Sequence, residues 1–296
     1  MRRTYITLSY VSIAWHFACL ITAQRQPSIQ SLVVIGDGYS DTGNTFTSTS
    51  NHWPQRPYFR GRFSNDQVWS ELASPPLNVP LLMYAYGGCR ADEVTQAPNV
   101  TESLAIPSIT QQVEDFLAVP PDRILRALVV IFFNGLEFLD DPEANPYQMI
   151  RAFRESIYRL TRNGVHNIIL TTLPPLDRFP GARFDRIKQD RLRTVVDAYN
   201  RQILSLAAFF AARRKVVLWD IHRVFVKAME DGTFPVTHRP CIFHVPEGYA
   251  SQCENTDDYL FWDPVHVTLH MHRLLAKSFI QQVASSWPDV RVWGDI

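Results

Sequence analysis

The stretch VVIGDGYSDTGN (residues 33–44) changes character at its midpoint. With Leu32 its first half reads LVVIGD, a short apolar run without polar alternation. That is the pattern of a strand covered on both faces and ending in a turn. The second half is rich in Gly, Ser, Asp and Asn, which favour turns. Four more apolar runs follow: LLMYAYGG (81–88), ALVVIFFNG (127–135), HNIILTTL (166–173) and KVVLWDI (215–221). Helical patterns separate them. Short ones fall at 66–72 and 109–117. Residues 145–162 carry Met149, Phe153, Ile157 and Leu160 at helical spacing, and 187–213 carries Leu192, Val196, Tyr199, Ile203 and Leu206. A last helix is expected at 267–285. Strand and helix in alternation imply parallel strands joined by crossover helices. The predicted fold is α/β, a three-layer α/β/α sandwich with a five-stranded parallel sheet. Pro75-Pro76, Pro120-Pro121 and Pro174-Pro175 are expected in loops. Open sheets of this kind place their sites at the carboxyl ends of strands. That directs attention to 37–44, 87–92, 134–140 and the loop before the last helix.

The chain has 296 residues, 46% of them hydrophobic, which suits one large domain. Residues 1–23 start with Arg2 and Arg3 and continue as a mostly apolar stretch to Ala23, the pattern of a secretory signal peptide, with a membrane anchor as the alternative because the run is close to spanning length. The domain is then 24–296, and the mature chain has 27 basic against 29 acidic residues, a net charge of −2. No basic run suggests nucleic acid, and no later segment is long and apolar enough to span a bilayer. Cys241 and Cys253 bracket a turn-rich loop, and a disulfide is expected there in an oxidising compartment. Cys89 is left over and reads as a small buried hydrophobe. Asn99-Val100-Thr101 is a glycosylation sequon. The expected location is extracellular.

The loops carry a pattern that resembles the GDSL or SGNH hydrolases, secreted esterases and lipases, with fungal members acting on acylated carbohydrates as the nearest likeness. GDGYSDTGN resembles the family's first block, Gly-Asp-Ser-(Leu/Tyr)-Ser-Asp-Thr-Gly-Asn. GRFSNDQVWSELA (61–73) resembles the segment after it, YAYGGCRA the block with a glycine oxyanion donor, and NGVHNIILTTLPPLDRFP the fourth stretch. YLFWDPVH resembles the last block with its Asp-x-x-His. The resemblance implies an acid and a base at Asp263 and His266 and an oxyanion donor at Gly88. It also exposes two departures. The nucleophilic serine falls on Gly38. The third block, Gly-x-Asn-Asp, falls on Gly135-Leu136-Glu137-Phe138, so Glu137 stands for the asparagine that helps bind the oxyanion.

Acyl transfer through a serine needs a nucleophilic oxygen, a base, an acid that orients the base, and oxyanion donors. Gly38 has no oxygen, and an ionised Glu137 accepts hydrogen bonds only and repels an oxyanion. The first reading is therefore a secreted family member with a disabled ester site, one that retains binding of an acylated carbohydrate, a cell-wall polysaccharide or a protein partner. The second is a working esterase that uses Ser40 or a water activated by His266, with Asn134 as substitute donor. The third is a protein kept for assembly alone. Ser40 also suits a turn or cap, and Asp37 suits ordering of the turn around Gly38. Tyr39, Trp53, Tyr58 and Phe59 are candidates to line a carbohydrate cleft. His266, His270 and His272 form His-x3-His-x-His, but no carboxylate or cysteine completes a metal set. No cofactor and no metal is expected. The segment ARRK (212–215) reads as a charged helix C-terminus.

Overall fold

A computed structural model describes residues 29–93, 95–96, 105–120, 124–211, 215–244 and 250–294. The expected signal peptide and Asn99 lie outside the described residues, as does most of the ARRK segment. The five apolar runs form one parallel sheet from β1 (Ser31–Gly36), β2 (Leu81–Met83), β5 (Ala127–Phe132), β6 (Asn167–Thr171) and β7 (Lys215–Trp219), in the order β2-β1-β5-β6-β7. β2, β5, β6 and β7 are shorter than their apolar runs, because the last residues of each run turn out of the sheet into the loops, and β1 ends one residue before its run does. Every residue of β1 and β5 is buried, as strands covered on both faces require. The two pair in register, Val33 opposite Val129 and Ile35 opposite Ile131.

Two adjacent phenylalanines show the layers. Phe132 packs on Trp69 and Trp219, which meet Phe279 of the last helix. Phe133 packs on Phe153 and Tyr199. Successive residues of an extended chain face opposite sides. Helices Trp69–Leu77, Ile221–Glu230 and Leu269–Ser286 therefore form one layer, and Ile109–Leu117, Pro146–Arg162 and Arg186–Ala211 the other. The apolar spacing read in the two longest predicted helices is the buried face in both. Met149, Phe153, Ile157 and Leu160 are buried in one, and Leu192, Val196, Tyr199, Ile203 and Leu206 in the other. Asn145 caps the first of these by accepting from the Tyr147 amide at 2.9 Å.

The helix expected at 66–72 runs instead from Trp69 to Leu77, and Pro75 and Pro76 lie in its last turn rather than in a loop. Its start is set by Glu71, which accepts from the Val68 amide at 3.1 Å and pairs with Arg62 through Nη2 at 2.6 Å. Helix Ile221–Glu230 was missed. Asp220 starts it by accepting from the Arg223 amide at 3.2 Å.

Small ribbons decorate the sheet. β3 (Thr95–Gln96) pairs with β4 (Ala105–Ile106). Near the C-terminus β8 (Val236–Pro240) pairs with β11 (Tyr259–Phe261), and β9 (Ile242–His244) with β10 (Ala250–Gln252). A disulfide joins Cys241 to Cys253. It braces the approach to the candidate site, because the Cys241 and Ile242 amides donate to the Phe261 and Trp262 carbonyls at 2.9 and 2.8 Å, just before Asp263.

Candidate active site

Asp263 and His266 sit in the loop between β11 and the last helix. Asp263 Oδ1 accepts from the amides of Val265 and His266 at 2.7 and 2.6 Å. The carboxylate is thus fixed to its own backbone before it meets the ring. Its Oδ2 lies 2.7 Å from His266 Nδ1 and accepts from the Tyr58 hydroxyl at 2.7 Å. Burial alone would raise the Asp263 pKa, but the His266 charge and these hydrogen bonds overcome it and hold the group at about 2. An ionised acceptor on Nδ1 makes that nitrogen the donor and leaves Nε2 with the lone pair.

Nε2 faces Gly38. A Cβ placed on Gly38 would lie 2.8 Å from Nε2 and 3.3 Å from Phe63 Cγ. The φ of Gly38 lies outside the left-handed region, so the backbone does not demand glycine here. Among the described residues, Nε2 makes no hydrogen bond. Ser40 does not supply one. Its side chain is fully buried, and its Oγ accepts from Trp69 Nε1 at 3.0 Å. The Ser40 and Asp41 amides both donate to the Asp37 carbonyl, and this tight turn directs Ser40 into the core. The structure thus brings Gly38, Asp263 and His266 together and leaves Ser40 apart from them.

Aromatic rings enclose the imidazole. Phe63, 3% exposed, stacks on His266 with centroids 5.1 Å apart, and Trp53 meets Phe63 edge-on at 4.8 Å. Phe63 also covers Gly87, where a Cβ would fall 2.0 Å from its ring. Tyr39 flanks His266 at 5.8 Å but is a core residue, 0% exposed, whose hydroxyl donates to the Val265 carbonyl at 2.6 Å. Tyr39 is therefore no cleft residue, and its hydroxyl is committed to holding the His266 loop. Phe59 is half-buried, with the Arg60 guanidinium over its ring.

The residues expected to act as oxyanion donors are placed as follows. Gly88 is exposed at φ +80, and its amide has no partner among the described residues, nor has that of Gly38. Glu137 is half-buried, and its Oε2 accepts from the Ala91 amide at 3.2 Å. Burial, outweighing that bond and the Arg90 charge, raises its pKa to about 7. The carboxylate-only chemistry described for an ionised Glu137 therefore applies chiefly above that pKa. Asn134 is 1% exposed, and its Oδ1 accepts from the Leu136 amide at 2.9 Å. Its Nδ2 is buried without a partner among the described residues.

Two aspartates hold the loops together. Asp37 accepts from the Tyr39 amide at 3.1 Å and from the Asn134 amide at 2.7 Å, tying the ends of β1 and β5. Burial lifts its pKa to about 7, against the pull of those amides and of His266. Asp41 accepts from the amides of Gly43, Asn44 and Thr45 and, at 2.9 Å, from Gly87. Asp41, Tyr58 and Phe63 are the site residues that sequence reasoning did not assign to these roles.

The three histidines of the final segment diverge. His270 packs on Phe234, while His272 is fully buried and accepts from the Trp69 amide at 3.2 Å. Burial lowers the His272 pKa to about 3, so the ring is neutral. Among the described residues no group of three His, Cys, Asp or Glu side chains is placed to hold a metal. Cys89 is buried with Sγ 3.0 Å from the Gly36 carbonyl, and burial raises its pKa well above the ordinary thiol value.

Known proteins share this framework. A family model for GDSL-like lipase/acylhydrolase matches residues 32–279. The thermolabile hemolysin of Vibrio parahaemolyticus is 26% identical over 280 residues, covering 88% of this chain and 65% of its own. The phosphatidylcholine-sterol acyltransferase of Aeromonas hydrophila is 27% identical over 266 residues, covering 82% and 78%. The secreted effector protein SseJ of Salmonella typhimurium is 24% identical and covers 85% and 64%. The chain thus spans less than two thirds of the hemolysin and of the effector. Among solved structures, a lipolytic G-D-S-L family protein from Veillonella parvula has a TM-score of 0.51 at 14% identity, covering 85% of this chain and 97% of its own. A family two carbohydrate esterase from Clostridium thermocellum, in complex with cellohexaose, scores 0.50 at 15% identity, covering 89% and 66%. Both likenesses establish the fold.

Proposed function

Since the chain belongs to the GDSL-like lipase/acylhydrolase family, we propose that it is a member whose ester site lacks a nucleophile and no longer turns over esters through an acyl-enzyme. The observation that carries this reading is the contact at residue 38. His266 Nε2 sits 2.8 Å from where a side chain would begin, and that side chain is absent. The acid–base pair is otherwise assembled, with Asp263 ionised and bonded to Nδ1. A base without a hydroxyl to deprotonate cannot start acyl transfer. In a well-characterised serine protease, loss of the nucleophile costs about a millionfold in turnover.

The remaining activity in this reading is binding of an acyl ester by the Gly38, Gly88 and Asn134 donors beside the Trp53–Phe63 pair. The named relatives act on a phospholipid acyl group in one case, and a structural neighbour binds a glucan in another. An acylated carbohydrate or lipid is therefore the ligand class we assign. Export through residues 1–23, followed by work outside the cell, belongs to the same proposal, and the disulfide agrees with it.

The test compares the unmodified chain with H266A on short nitrophenyl esters and acetylated xylan. Equal rates are expected. Turnover by the unmodified chain above that of H266A would sink the proposal and favour a water activated at Nε2.

A further inference from the structure

We propose that residues 183–188, the sequence RFDRIK, form a docking ridge for an anionic lipid surface. Phe184 is 92% exposed and Ile187 85%, the two most exposed large hydrophobic side chains among the described residues. Single exposed hydrophobics are ordinary on protein surfaces. These two lie three residues apart at the start of helix Arg186–Ala211, and among the described residues the ring of Phe184 meets only the Arg183 guanidinium, at 5.4 Å.

Their neighbours are basic. Arg183 and Arg186, both exposed, and Lys188, whose Nζ donates to the Gly181 carbonyl at 3.1 Å, flank them in sequence; Asp185 is the single acid in the six residues, with Asp190 two residues beyond. Asp185 is engaged at the helix start, where it accepts from the Lys188 amide at 2.9 Å. Arg183 Nη1 donates to the His238 carbonyl at 3.1 Å, so β8, which carries no acidic residue, lies alongside. Apolar tips ringed by cations match a bilayer surface, where the tips enter the acyl boundary and the cations meet anionic headgroups. A second copy of this chain fits poorly, because a two-fold contact would set this positive patch against itself.

The ridge is joined to the candidate site. The Gly181 amide donates to the Pro264 carbonyl at 2.9 Å, and Gly181 lies against Val265. Docking would hold the Asp263–His266 loop at the lipid surface whether or not the site turns over esters.

Flotation of the full chain with vesicles of phosphatidylcholine alone, and of phosphatidylcholine with phosphatidylserine, tests this. Binding is expected to the phosphatidylserine vesicles and should weaken with salt. R183Q/R186Q should lower partitioning about 30-fold, and F184S/I187S at least about tenfold. Both pairs are exposed, so melting temperatures should match the unmodified chain and exclude misfolding as the cause. No binding to anionic vesicles, or binding undiminished in F184S/I187S, overturns the proposal. A dimer seen by sedimentation velocity and lost in F184S/I187S also overturns it, by assigning the ridge to a second copy.

Discussion

The substitution Gly38→Ser probes the site with two opposed consequences. The new Cβ would stand 2.8 Å from His266 Nε2 and 3.3 Å from Phe63 Cγ. A hydroxyl and a base need about 3 Å between their heavy atoms. With the Cβ–Oγ bond interposed, the imidazole must withdraw by roughly 1 Å before the hydroxyl fits. The ring is held by Asp263 at 2.7 Å and lies between Phe63 and Tyr39, so this movement disturbs packed neighbours. Overpacking of this kind costs about 1–3 kcal/mol, a fall of a few degrees in Tm for a domain of this size. G38A places the same Cβ without the oxygen and should cost a similar amount. The assay is covalent labelling by a fluorophosphonate, read as intact mass, beside nitrophenyl acetate hydrolysis. G38S should be labelled and G38A should not. We place Glu137 where the family's oxyanion-binding asparagine falls, and on that proposal hydrolysis by G38S should remain slow. G38S/E137N should exceed it by about a hundredfold, the usual worth of one such donor. If G38S loses no stability and labels no faster than G38S/H266A, then Nε2 is not aimed at position 38 and the reasoning fails.

Other expectations follow from the buried carboxyls and the disulfide. The Glu137 pKa rises to about 7 in the folded chain from an ordinary 4.5. Its stabilising effect is therefore complete below pH 4.5 and is lost as the pH rises to 7, a change on the order of 3 kcal/mol. E137Q keeps an acceptor for the Ala91 amide, so urea unfolding at several pH values should show a flatter profile; an unchanged slope would refute the assignment. Asp263 behaves in the opposite sense: with its pKa lowered from 3.8 to about 2, its contribution is present above pH 4 and lost on acidification. Y58F removes one donor to that carboxylate and should cost about 1–2 kcal/mol near neutrality. The loss should shrink as the pH falls from 4 toward 2, and a loss independent of pH would point to packing instead. C241A/C253A opens a short loop and should lower stability by about 3 kcal/mol. Because this loop braces the residues before Asp263, exchange of the Val265 and His266 amides should accelerate with it. Unaltered exchange would show that the bracing is not local.

Much of this architecture could be read directly from residue order. Apolar runs such as ALVVIFFNG admit little but a strand covered on both faces, and the spacing of Leu192 to Leu206 admits little but a helix. The five strands and their shared direction follow from those two periods. Asp263 and His266 were legible through the resemblance of YLFWDPVH to the family's last block, because the pair lies close together in the chain, where Asp263 accepts from the Val265 and His266 amides. Tyr58 was not, since its partner is Asp263, which is remote in sequence and brought close only by the fold. Phe63 reads as one more core aromatic until its ring is seen over Gly38 and Gly87. The raised pKa of Glu137 was also illegible, because it depends first on burial and then on the Ala91 amide and charge partners that no local pattern supplies. Ser40 misled for a related reason. A hydroxyl near Gly38 in sequence is turned into the core by the hydrogen bonds of its own turn, where Trp69 Nε1 takes it up.

The most direct test is the mass of the unmodified chain after incubation with a fluorophosphonate and, separately, with a nitrophenyl ester. A vacant position 38 should leave the mass unchanged in both. An acyl or phosphonyl adduct mapped to any side chain within reach of His266 would contradict the account.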